Sequence, residues 1–157
     1  MQASTVTAVR HALRMNENAF WQLIDECTPS TPDPDAEHLS AGLTEHLSAG
    51  PLATVIGFAE QLAWALYQLD RKEYGYGLSS DSFLYTRAAV VAAGREAHEA
   101  TLRDPRLFAR YARDLTWAEG LLYVPDEAYR RITGEEWDRS TQYSYESYSN
   151  TAGWANA

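Results

Sequence analysis

The feature that most constrains this chain is a long apolar stripe: Leu52, Val55, Ile56, Ala59, Leu62, Ala63, Leu66 and Leu69. An α-helix turns once in about 3.6 residues, so recurrence every three or four positions gathers these side chains on one broad face. A face that wide must be covered by neighbours, and it predicts a central buried helix over 52–69. The stripe follows Gly50-Pro51 and ends near Asp70, before RKEYGYGLSS, where Gly75 and Gly77 break the helical pattern. Gly57, Glu60, Gln61 and Gln68 interrupt it, so it lacks the unbroken apolar length that a bilayer requires.

Weaker stripes surround it. Asn16 is placed to cap a helix carrying Phe20, Leu23, Ile24 and Cys27, with Met15 packing on Phe20 and Thr28-Pro29 as the stop. TPSTPDPD reads as a linker, and Asp33-Pro34 as the cap and first residue of a helix bearing Leu39, Leu43 and Leu47. The hexapeptide EHLSAG occurs at 37–42 and 45–50, far too short a repeat to imply a solenoid. Ser79 or Ser80 caps a helix expected to run unbroken to Asp104, with Phe83, Arg87, Val90, Val91 and Gly94 at helical spacing. Asp104-Pro105 then starts a helix with Leu107, Phe108, Tyr111, Ala112 and Leu115 on one face. A last helix over 125–132 is closed by Gly134. Strand-like alternation is confined to 121–124 and 143–145. The expectation is an all-α, compact, single-domain bundle of about five to seven helices. Residues 1–14 are an N-terminal extension, 15–134 the helical domain, and 135–157 a Tyr/Trp-rich C-terminal arm.

Composition excludes several classes. A chain of 157 residues with 45% hydrophobic content can bury a core without staples. Cys27 is the only cysteine, which favours a reducing compartment, and no secretory pattern opens the chain, so a cytoplasmic protein is expected. The net charge of -9 argues against nucleic acid or an anionic membrane as partner, because Arg103, Arg106, Arg110 and Arg113, the densest basic set, are diluted by acids.

Three segments carry a resemblance. FWQLID at 20–25, SSDSFLYTRAAVVAAGREAHEATLRDP at 79–105 and EGLLYVPDEAYRRITGEE at 119–136 resemble the bacterial family called Domain of Unknown Function 4240. The resemblance covers roughly 16–136. It implies a bacterial, mostly helical, cytosolic domain and supplies no activity, cofactor or catalytic residue.

Asp81, Arg87, Arg95, Glu96 and Glu99 form the best polar constellation. On one helix, Arg87 and Arg95 would lie on neighbouring parts of the surface and could clamp a carboxylate or phosphate, with Asp or Glu orienting them. The competing reading is an inter-helix salt-bridge network. Gly94 is expected to permit close helix packing. Trp21, Phe58 and Trp64 are expected to fill the core, while Tyr67, Tyr74, Tyr76 and Tyr85 gather at the loop before the central motif. Tyrosine gives rigid contact area with a polar tip, as a binding surface or as a wet core edge. The candidate binding residues are therefore Asp81, Tyr85, Arg87, Arg95, Glu99, Tyr74 and Tyr76.

No metal and no cofactor are expected. His38 and His46 are eight residues apart, about 12 Å along a helix, too far to share one ion. Cys27 falls on an apolar stripe beside Asp25 and Glu26, which would raise its pKa rather than activate it. GxSxG, Walker A and GxGxxG signatures are all missing from the chain. The arm is polar yet holds Trp137, Tyr143, Tyr145, Tyr148 and Trp154, and is expected to dock through them, on its own body or as an arm exchanged in a homodimer. The reading favoured is a non-catalytic binding or protein-interaction module for an unknown protein or small ligand. The alternative is a small-molecule enzyme using Asp81, Arg87, Arg95 and Glu99 as acid/base and anion clamp. Convergence of those four tips around an open pocket decides between them.

Overall fold

The computed structural model describes residues 15–113 and 118–155. Each helix begins or ends where local chemistry requires it. Asn16 Oδ1 accepts from Ala19 N at 2.8 Å and starts α1 (Glu17–Cys27). A 3-10 turn at Pro34–Ala36 leads into α2 (Glu37–Ser48), whose first N–H groups, on His38 and Leu39, donate to Asp33 at 2.8 and 3.0 Å. The central rod is α3 (Leu52–Gln68), followed by the short α4 (Lys72–Gly75). Ser79 Oγ accepts from Ser82 N at 3.1 Å and opens α5 (Ser80–Ala92). Next come α6 (Arg95–Arg103), a 3-10 turn capped by Asp104, α7 (Phe108–Arg113), α8 (Glu119–Leu122) and α9 (Val124–Thr133). Gly134 ends α9 at φ 74°, and α10 (Thr151–Trp154) lies in the arm.

The protein is all-α, with no strand among the described residues. The helical segments exceed the expected five to seven because four of them, at 72–75, 108–113, 119–122 and 151–154, span only one or two turns. Of residues 121–124, where strand-like alternation is expected, Leu121, Leu122 and Val124 are helical and buried. The α3 rod packs on α1, α2, α5 and α9, as a wide apolar face demands. Phe20, Ile24, Leu39, Leu43, Leu47, Val55, Phe58, Leu62, Leu66 and Leu121 make the main core. A smaller cluster of Leu69, Tyr74, Phe83, Val90 and Phe108 lies beyond it. Residues 1–14 and Leu115 lie outside the described residues.

One expectation is corrected. The segment after Ser79 is two helices, broken at Ala93 and Gly94. Gly94 has φ 105° and ψ 176°, a conformation nearly reserved to glycine, and a Cβ there would meet nothing within 4 Å. Its role is therefore a backbone corner rather than close packing. The corner turns α6 away from α5, and with it Arg95 away from Arg87.

Candidate functional site

The polar residues of the 79–105 motif disperse. Arg87 turns inward and is fully buried. Its Nη1 donates to Leu66 O at 3.1 Å and its Nη2 to Ser147 Oγ at 3.0 Å, while the guanidinium lies 4.5 Å from the Phe83 ring centre. Its Nε has no hydrogen-bond partner. Burial pulls the guanidinium down to about 10, against the opposing pull of Asp70, Glu146 and Tyr148. Arg95 is a surface clasp between α6 and the start of α1: it bonds Glu99 at 3.0 Å and Asn18 at 2.7 Å, and lies 3.6 Å from Glu17. Asp81 is exposed in the first turn of α5. Arg95 and Glu99 thus meet each other at the surface, while Arg87 and Asp81 have separate surroundings.

The tyrosines separate as well. Tyr74 is buried against Phe108 and donates to Thr101 O at 3.3 Å. Tyr76 is 80% exposed, with Lys72 Nζ 5.8 Å from its ring centre. Tyr85 and Tyr123 donate to one Glu119 oxygen at 3.2 and 2.7 Å. That shared bond, then burial, pushes the Tyr123 hydroxyl up to about 12. Trp64 is not a core residue like Trp21 and Phe58: it is half-buried on α3, where Tyr143 of the arm packs on it and on Tyr67 at 4.7 Å each.

What organises this region is Asp70, a fully buried carboxylate just past the end of α3. Its Oδ1 accepts from Tyr148 N and Trp154 Nε1, both at 2.9 Å. Its Oδ2 accepts from Asn150 N at 2.8 Å and lies 3.2 Å from Ser149 Oγ, whose one proton is shared with Glu146 O at 2.7 Å and Ser144 O at 3.0 Å. A carboxylate taken out of water needs several donors, and here the arm supplies three in full. Ser147 completes the seam, donating to Ser80 O at 2.7 Å while accepting from Arg87. Trp154 packs edge-on to Phe83 at 5.7 Å, where a Cβ on Gly75 would approach both rings to 2.8 Å; glycine at 75 makes the room. The arm thus docks on its own body through aromatics and one buried acid.

Docking leaves a groove of about 370 Å³ between the arm and helices α3, α8 and α9. Its floor is Ala59, Leu62, Ala63, Leu122 and Pro125. Trp137 and Tyr145 wall it, Trp137 lying edge-on to Tyr129 at 5.2 Å. Asp126, Glu146 and Arg139 supply the charges at its edge. Burial raises the Asp126 carboxyl above its usual range. The Tyr145 hydroxyl is raised by burial and then by Glu146 and Asp126.

Asp70, Ser147, Asp126 and Glu146 were not candidates in the sequence. Asp70 had one weak signal, an acid directly ending the strongest apolar stripe. The other three carry no local signature.

No group of three or more His, Cys, Asp or Glu among the described residues could hold a metal ion. The Cys27 thiol is raised by burial and by Glu26, the direction its acidic neighbours imply. No helix among the described residues is long and apolar enough to cross a membrane.

Fold and site together define an all-α domain whose C-terminal arm is sealed onto its body over a buried Asp and Arg. The family model described as "Protein of unknown function (DUF4240)" matches residues 15–131, and the chain belongs to that family. No curated protein and no solved structure matches it. The matched span ends before the arm, so Asp70 and Arg87 lie within it while Ser147 and Trp154 lie beyond it.

Proposed function

We propose that this protein is a non-catalytic binding domain whose ligand occupies the groove between the arm and the helical body. The observation that carries this is the groove itself, about 370 Å³ and lined about equally by apolar and polar side chains. Its size is that of a small-ligand site. The enzyme alternative is less favoured, since Arg87 is buried on Leu66 O and Ser147 while Arg95 and Glu99 pair with each other at the surface. Residence in a bacterial cytoplasm belongs to the same proposal and is supported by the lone Cys27. The net charge of -9 supports a partner other than nucleic acid. Arm exchange in a homodimer would reuse the Asp70 contacts, and light scattering would read it as twice the chain mass.

The test is a thermal-shift screen of a soluble metabolite library against the wild type and Ser140→Trp. Ser140 is an exposed lining residue, and an indole there fills the groove without disturbing the core. Compounds that raise the melting temperature of the wild type alone support the proposal. A library in which every hit stabilises both proteins equally sinks it.

A further inference from the structure

The charges around the groove identify what it would hold. Two carboxylates, Asp126 and Glu146, line it against one guanidinium, Arg139. Among the described residues none of the three makes an ion pair. The excess is negative, and after burial, the larger cause, the field of Glu146 and Asp126 opposes ionisation of the Tyr145 hydroxyl. An anionic ligand would meet that field directly. A neutral apolar ligand would cover the carboxylates without compensating them, which is costly. A cation satisfies both, and Trp137 and Tyr145 bring to the lining aromatic rings of the kind that attract one. The floor of Ala59, Leu62, Ala63, Leu122 and Pro125 asks for hydrocarbon next to the charge.

We propose that the ligand of this groove is a small organic polyammonium ion: methylene segments laid over the apolar floor, with ammonium groups held by Asp126 and Glu146 against Trp137 and Tyr145. The assignment rests on the groove being the binding site. It commits to a free small molecule because the groove volume of about 370 Å³ suits a whole ligand rather than one side-chain head.

The experiment is calorimetric titration of the full chain with spermidine, with 1,8-octanediol as a neutral probe of the same heavy-atom count, and with tetralysine. Asp126 and Glu146 are exposed, so Asp126→Asn and Glu146→Gln should fold, which circular dichroism verifies. Spermidine is expected to bind at least about tenfold more tightly than the diol, the excess a charged group in a partly desolvated aromatic site contributes. Each single substitution is expected to weaken it about two- to fivefold, the double variant about tenfold or more, and Arg139→Gln to strengthen it about two- to fivefold, as exposed ion pairs contribute. Equal binding of the diol overturns the ammonium class and leaves the groove standing. Tighter binding of tetralysine than spermidine overturns the small-molecule assignment. Spermidine binding unchanged by all three substitutions places the cation elsewhere and overturns the proposal. Failure of spermidine to bind overturns it too; the groove falls with it only if the library screen is also empty.

Discussion

Replacing Asp70 by Ala tests the central physical claim, that one buried carboxylate holds the arm. Three donors lose their acceptor: Tyr148 N, Asn150 N and Trp154 Nε1. Ser149 Oγ keeps Glu146 O and Ser144 O, and Tyr148, which is exposed, can turn to water. Asn150 N is buried, and Trp154 Nε1 is part-buried beside the Phe83 ring. Each orphaned donor shielded from water costs about 1–3 kcal/mol, so two give about 2–6 kcal/mol. Arg87 also loses a carboxylate that favours its charge, in the same direction. For a chain of this length, about 2–6 kcal/mol lowers the melting temperature by about 4–24 °C. Urea unfolding measures the loss, and hydrogen exchange locates it: the Tyr148 and Asn150 amides should lose protection while α3 keeps its own. A loss under about 1 kcal/mol, with both arm amides still protected, would refute the reasoning, since the arm would then be held by its rings alone.

Three further outcomes are expected. Gly94→Ala should cost about 1–3 kcal/mol in urea unfolding, because alanine resists a corner at φ 105° even though its methyl meets open space. His98 is buried and bonds Ala65 O at 2.9 Å, and burial lowers its pKa, so below about pH 6.5 the unfolded chain takes up a proton that the folded one refuses. Stability should therefore fall as the solution is acidified through that range, by at most about 1.4 kcal/mol per pH unit from this group, and His98→Gln should remove that part of the slope; identical pH profiles of stability for the two proteins would show that His98 is not responsible. Glu119→Gln should bring the Tyr123 hydroxyl down from about 12 toward the usual tyrosine value, read by ultraviolet titration of the phenolates, and an unchanged titration would mean that the shared bond to Glu119 is not made in solution.

The helical class was legible because its evidence is local. A stripe such as Leu52 to Leu69 reports a period of 3.6 wherever the rest of the chain goes, and Asn16, Ser79 and Gly134 bound their helices through partners three or four residues away. The buried face of α3 followed from the same arithmetic. The site did not. Arg87 and Arg95 fall on neighbouring parts of one surface if the helix is unbroken, yet one glycine with positive φ separates them, and backbone sign is not readable from a glycine that could equally have served packing. The bonds that define the arm seam join Asp70 to residues 78–84 positions away. No periodicity encodes contacts of that range; they exist only once α3 and α5 are packed and a surface for the arm is formed. The sequence alone determined that the chain makes rods and where the apolar face of the central one lies. Tertiary packing alone decided that an arginine goes inside, that an aspartate past the end of a helix collects the donors of the arm, and that a groove with two carboxylates opens beside them, because burial and charge balance belong to the assembled molecule.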